Sequence, residues 1–159
     1  MSQELPFDPL PFFENPHKQT IVGSLFNFLT EPHSVQKLVR LPDGDKISLE
    51  ITTPENWGER DLTVFFVHGL CGSHKSPNLV RMTKRLEPLG VRTIRYNMRG
   101  CGSGRGLSKR IYHSGRTEDV LECVKALKFD HPRSPIVLIG FSLGGNIVLK
   151  LAGELSTLA

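Results

Sequence analysis

Apolar and polar positions change their rhythm along this chain, and the change divides it into parts. Positions 35–41 and 46–52 both favour extended structure, and Pro42-Asp43-Gly44-Asp45 between them is a strong turn signal, so the pair is read as a β-hairpin. Positions 54–60 read as loop. From position 62 short apolar runs alternate with helical segments, the signature of βαβ units and a parallel sheet.

The first run, 62–67, leads through His68-Gly69 into a polar loop and then a helix over about 78–89, with Leu79, Met82, Leu86 and Leu89 along one side and Gly90 as its C-terminal cap. A strand over 91–98 follows, then the glycine-rich loop 99–106, then a helix over 117–128 carrying Val120, Val124 and Leu127. The strand 135–141 ends at Ser142, and a helix over 143–155 begins at once. Before the hairpin, positions 1–16 are rich in Pro and Phe without a period and read as an extended arm that packs its aromatics. The domains expected are an N-terminal arm, 1–34, and a partial α/β domain, 35–159.

Composition alters this picture little. With 38% apolar and 23% charged residues in 159, the chain fits one ordinary globular domain. No apolar run approaches the roughly 20 residues of a membrane-spanning helix. Cys71, Cys101 and Cys123 are odd in number with no framework spacing, and the N-terminus lacks a signal-peptide pattern, so a reduced, cytoplasmic setting is expected. The net charge of +4 gathers partly at Lys75, Arg81, Lys84 and Arg85. No aromatics interleave these residues, so nucleic acid is not expected as a partner, and weak attraction to an acidic lipid surface fits better.

The chemistry sits in Gly140-Phe141-Ser142-Leu143-Gly144, a GxSxG between an apolar strand and a helix with no loop residues to spare. So tight a turn needs glycine two positions either side of the serine, and Gly145 adds room. It lifts the serine hydroxyl above the sheet, where it can reach an acyl carbon, while the helix N-terminus beneath favours negative charge. His68-Gly69-Leu70 ends an earlier strand where a second oxyanion donor is built, so the backbone N–H groups of Leu70 and Leu143 are the expected oxyanion hole. Ser142 is the expected nucleophile.

These motifs, with Asn15-Pro16-His17-Lys18-Gln19-Thr20, His68-Gly69-Leu70-Cys71-Gly72 and Asn97-Met98-Arg99-Gly100-Cys101-Gly102, resemble those of the YheT-like family of α/β-hydrolases. The resemblance covers nearly the whole chain. It implies a serine esterase or lipase that hydrolyses carboxylic esters, short- to medium-chain or acylglycerols, with no cofactor and no metal. A triad in this fold runs Ser, Asp or Glu, then His. After Ser142 this sequence holds neither His nor Asp, and Glu154 lies three turns along the helix, out of reach. The triad acid and base are therefore absent here, as are the later strands and helices of the fold. Expected in consequence are a truncated chain inactive by itself or, as the alternative, a non-catalytic scaffold half that pairs with a complementing C-terminal fragment.

Other constellations read as structural. His68 belongs to the oxyanion strand and is expected to hold the loop by hydrogen bonding rather than act as base; His17 and His113 are expected to bond loop backbone, and His33 and His131 to lie at the surface. His68, Cys71 and His74 at three-residue spacing lack a fourth metal ligand. Gly100 to Gly106 fails the dinucleotide fingerprint, which needs a third glycine three positions after the second.

Overall fold

A computed structural model describes residues 8–9, 11–25 and 29–156. The chain separates into two compact units, Met1–Thr30 and Glu31–Ala159. The first contains helix α1 (Pro16–Leu25), which begins where the expected extended stretch 1–16 ends and for which no element was expected. Pro16 sets the backbone for a helical first turn, Asn15 Oδ1 accepts the His17 N–H at 2.8 Å, and Gln19 Nε2 donates to the Phe13 carbonyl at 2.6 Å. Phe12 is exposed where packing was expected. Phe13 is half-buried, and Phe7 lies outside the described residues.

The larger unit is a five-stranded sheet in the order β1-β2-β4-β3-β5. The expected hairpin is β1 (Val35–Arg40) and β2 (Lys46–Thr52), antiparallel, with Arg40 opposite Lys46 and Gly44 in the left-handed region at φ 86°. Strand β2 also pairs antiparallel with β4 (Arg92–Tyr96). β3 (Thr63–Val67) runs parallel to β4 on one side and to β5 (Ile136–Gly140) on the other. In that register Val67 stands opposite both Tyr96 and Gly140, so the three parallel strands end level. Their carboxyl edge therefore collects the three segments that follow them, beginning at His68, Asn97 and Phe141.

Two apolar layers hold the sheet. One face carries Leu49, Phe65, Val67, Ile94 and Tyr96, covered by α3 (Glu118–Asp130) through Val120, Cys123 and Leu127 and by α4 (Leu143–Ser156) through Ile147 and Leu151. The other presents Val64 and Phe66 to Leu79 of α2 (Pro77–Leu86), with Met82 and Leu86 alongside. Helix α2 ends in a short 3₁₀ turn, Glu87–Leu89, and Gly90 caps it at φ 74°. Leu89, expected on the apolar side, is exposed, because the tighter 3₁₀ turn rotates it off the helical stripe. Among the described residues no helix is long and apolar enough to cross a membrane.

Candidate active site

The passage from β5 to α4 takes two residues, Phe141 and Ser142. Ser142 has φ 51°, a left-handed value that an L residue other than glycine holds only when its surroundings impose it. The neighbours leave no alternative. A Cβ at Gly140 would stand 2.2 Å from the Gly144 carbonyl oxygen, and one at Gly144 would stand 2.3 Å from that of Val67 and 2.5 Å from that of His68. The first turn of α4 thus lies directly on the end of β3. Gly145 is different: its added Cβ would meet nothing nearer than the Gly140 oxygen at 3.4 Å, an ordinary contact. The Phe141 N–H donates to the Val67 carbonyl at 3.0 Å and the Gly144 N–H to the Phe141 carbonyl at 2.9 Å, fixing the turn from both sides.

The segment after β3 folds back over this turn. A Cβ on Gly69 would lie 3.3 Å from both the Phe141 carbonyl oxygen and the Ser142 Cβ, and 3.9 Å from its hydroxyl oxygen. Leu70 follows, strongly exposed, then Cys71 at φ 56°. Leu143 opens α4, where the first N–H groups of a helix have no intrahelical acceptor. The structure therefore brings Ser142, Gly69, Leu70 and Leu143 to one corner of the sheet, with Gly140 and Gly144 as the close-packed residues beneath.

His68 is fully buried, and both ring nitrogens are in use: Nδ1 lies 2.7 Å from the Gly69 carbonyl oxygen and Nε2 lies 3.1 Å from the Met98 backbone nitrogen. A carbonyl only accepts and a backbone N–H only donates, so the ring is neutral with its proton on Nδ1. Burial holds its pKa below the ordinary 6.5. The loop-holding role expected of His68 is what these bonds provide. Neither nitrogen is free to take the Ser142 proton, and among the described residues the Ser142 hydroxyl has no hydrogen-bond partner.

Asn97, the first residue of the motif that follows β4, ties the loops together. Its Oδ1 accepts from both the backbone N–H and ring Nδ1 of His74, each at 2.9 Å, while Nδ2 donates to the Ser48 carbonyl and the Ser103 hydroxyl at 3.3 and 3.1 Å. Tyr112 went unmarked in the sequence. Its hydroxyl accepts the Cys71 N–H at 3.1 Å, and its ring meets that of His68 edge-on at 6.5 Å. Nothing local signals this contact, because 41 positions separate the partners. Among the described residues no group of His, Cys, Asp or Glu is arranged to hold a metal ion. Glu154 is held by Thr117 and Lys150. His113 Nδ1 accepts from the Gly115 N–H, whereas His131, expected at the surface, packs edge-on against Trp57.

Residues 63–157 match the family model of the alpha/beta hydrolase fold. The chain is 30% identical over 153 residues to YheT of Escherichia coli strain K12, named as an esterase, covering 96% of this chain and 45% of that one. It is 28% identical to phospholipase ABHD3 of Homo sapiens, covering 82% and 34%. It is also 28% identical to monoacylglycerol lipase ABHD2 of Danio rerio, covering 92% and 35%. The chain thus spans less than half the length of these relatives. Among solved structures, XC6422 of Xanthomonas campestris, described as an a/b serine hydrolase without lid, superposes with a TM-score of 0.66 at 22% identity over 80% of this chain and 59% of that one.

Proposed function

This chain belongs to the alpha/beta hydrolase family, and on that premise we propose that it carries the nucleophile of a serine hydrolase acting on carboxylic esters. The observation that carries the reading is Ser142 at φ 51°, held above the level ends of three parallel strands by a turn that only Gly140 and Gly144 fit. In this reading the turn is a nucleophile elbow. The Ser142 hydroxyl oxygen attacks the ester carbonyl carbon, a base takes its proton, and the N–H groups of Leu70 and Leu143 stabilise the oxyanion. The names of the relatives, an esterase, a phospholipase and a monoacylglycerol lipase, support acyl esters of glycerol or similar alcohols as substrates.

Activation of the serine needs a histidine and a carboxylate in hydrogen-bond reach, and His68 is excluded by its own bonds. The chain alone therefore turns over esters slowly, and a complementing segment that brings a histidine and an acid to Ser142 raises the rate. The exposed edge of β5, where Val137 is 45% exposed, supports such a pairing. Exposed Lys75, Arg81, Lys84 and Arg85 beside or on α2 support weak attraction to an acidic lipid surface.

A fluorophosphonate probe on the purified chain and on Ser142→Ala tests the proposal. Slow labelling of the wild type that the variant abolishes is the expected result. Labelling that survives in the variant, or none in a folded wild type supplied with the complementing segment, would overturn it.

A further inference from the structure

Beside the Ser142 corner lies a cavity of about 730 Å³, within the range of small-molecule sites. It is bounded by the segment after β3, at Cys71–Lys75, and the segment after β4, at Gly100–Arg105. That is the carboxyl edge of the sheet, where open α/β folds bind their ligands. It begins immediately after Leu70, and Gly69, which precedes that residue, packs against Ser142.

The charges around it are unequal. Lys75 and Arg105 both line the cavity, and no carboxylate does. Glu31, outside the lining, pairs with Lys75 at 2.7 Å, and its carboxyl is held below the ordinary 4.5 chiefly by that hydrogen bond. Arg105 has no ion pair among the described residues. Behind the wall Glu50 accepts from the lining Ser103 hydroxyl at 2.7 Å and faces buried Arg95. The cations Lys75, Arg105 and Arg95 therefore outnumber the carboxylates Glu31 and Glu50 around a concave site next to the reacting centre. The wall is also fixed in position: Asn97 Oδ1 clamps His74 from one strand end, and buried Arg95 donates through Nη1 to the His74 carbonyl at 3.1 Å. A cavity with a rigid wall orients a ligand without the cost of ordering its own loops.

We propose that this cavity is an anion subsite, which receives a phosphate or carboxylate borne by the ester substrate and holds it with Arg105 and Lys75. A guanidinium presents paired N–H donors that match the two oxygens of either group, and a lysine adds a mobile point charge. The inference rests on the ester-hydrolase reading and deepens it: the preferred substrate is an anionic ester, and neutral esters of the same chain length bind more weakly.

The test is binding, read separately from chemistry. Amide resonances of the full chain are followed by NMR during titration with inorganic phosphate, with glycerol 3-phosphate and with glycerol as the neutral control. Saturable shifts at residues 71–75 and 100–105 with both phosphates, absent with glycerol and about tenfold weaker in Arg105→Gln/Lys75→Gln, support the subsite. Equal binding to the double variant, or shifts spread over every basic surface residue, would overturn it. A second arm uses phosphatidylcholine vesicles with and without phosphatidic acid. Binding that needs phosphatidic acid and both cations, at a strength soluble glycerol 3-phosphate does not match, assigns the anion to a lipid headgroup; glycerol 3-phosphate binding alone assigns it to a soluble ester. The two proposals fail separately. A chain that labels at Ser142 but binds no phosphate keeps the hydrolase reading and loses the subsite. One that binds phosphate without labelling keeps an anion site and loses its ester.

Discussion

At the scale of single residues, the turn at Ser142 divides its three glycines into two that are required and one that is not. Any side chain at Gly140 or Gly144 drives a carbon into backbone atoms that cannot move without separating α4 from β5 in the first case or from β3 in the second. Gly144→Ala is therefore expected to lower stability by several kcal/mol, roughly the scale of overpacking against fixed backbone, and Gly145→Ala to be neutral or slightly stabilising because alanine favours the helix. Thermal denaturation of the two variants checks this, and equal melting shifts would refute it. His68 supplies a second expectation. Its folded-state pKa is depressed by burial, so it adds stability fully above the ordinary 6.5, which is lost as pH falls through the lower folded value. NMR of the imidazole nitrogens should show the Nδ1–H tautomer and a titration below 6.5; a midpoint at or above it would contradict the buried, doubly bonded ring.

At the scale of elements, the hairpin, the loop after β4 and α3 are joined by one guanidinium. Arg99 donates from Nε and Nη2 to the two oxygens of Asp119, and from Nη1 to Asp43 and Asp45, all at 2.7 Å. The turn at residues 42–45 is thereby tied to the start of α3, although they are distant in sequence. Arg99→Met leaves buried Asp119 without its partner and is expected to cost about 3–5 kcal/mol at neutral pH. Asp43 is held below the ordinary 3.8 chiefly by Arg99, and Asp45 chiefly by the Lys109 N–H. Depressed carboxyls contribute above 3.8 and lose that contribution as pH falls through their lower folded values. Urea unfolding at pH 7 and near pH 3 should thus show a large gap between wild type and Arg99→Met that narrows in acid. A gap that does not change with pH would mean the carboxylates are not what Arg99 stabilises.

At the scale of the whole molecule, the sheet has an apolar parallel strand at one edge. Among the described residues β5 pairs with β3 alone, Val137 stands 45% exposed on it, and Leu149 of α4 is 75% exposed. Unpaired N–H and C=O groups beside apolar side chains recruit another strand. The purified chain is expected to self-associate at micromolar concentration, and Val137→Lys to suppress this by placing a charge on the edge. Sedimentation velocity decides, and a monomeric wild type would remove the argument. The strands, helices and turn of this architecture were legible because each has a local cause: apolar runs of strand length, helical spacing, the Pro42–Asp45 turn and the two-residue passage at Ser142. Helix α1 was missed because its ten residues carry almost no amphipathic contrast, and its capping interactions are too local to register as a pattern. Sequence by itself determined the fold class, the order of elements from β1 to α4 and the serine of interest, since these follow from side-chain volume, periodicity and the backbone freedom of glycine over a few neighbouring positions. Only the tertiary structure decided that His68 is spent on two backbone bonds, that Tyr112 steadies Cys71, that Arg99 gathers three aspartates, and that Lys75 and Arg105 share a cavity. Those relations join residues brought together by the level ends of β3, β4 and β5, and distance along the chain carries no trace of them.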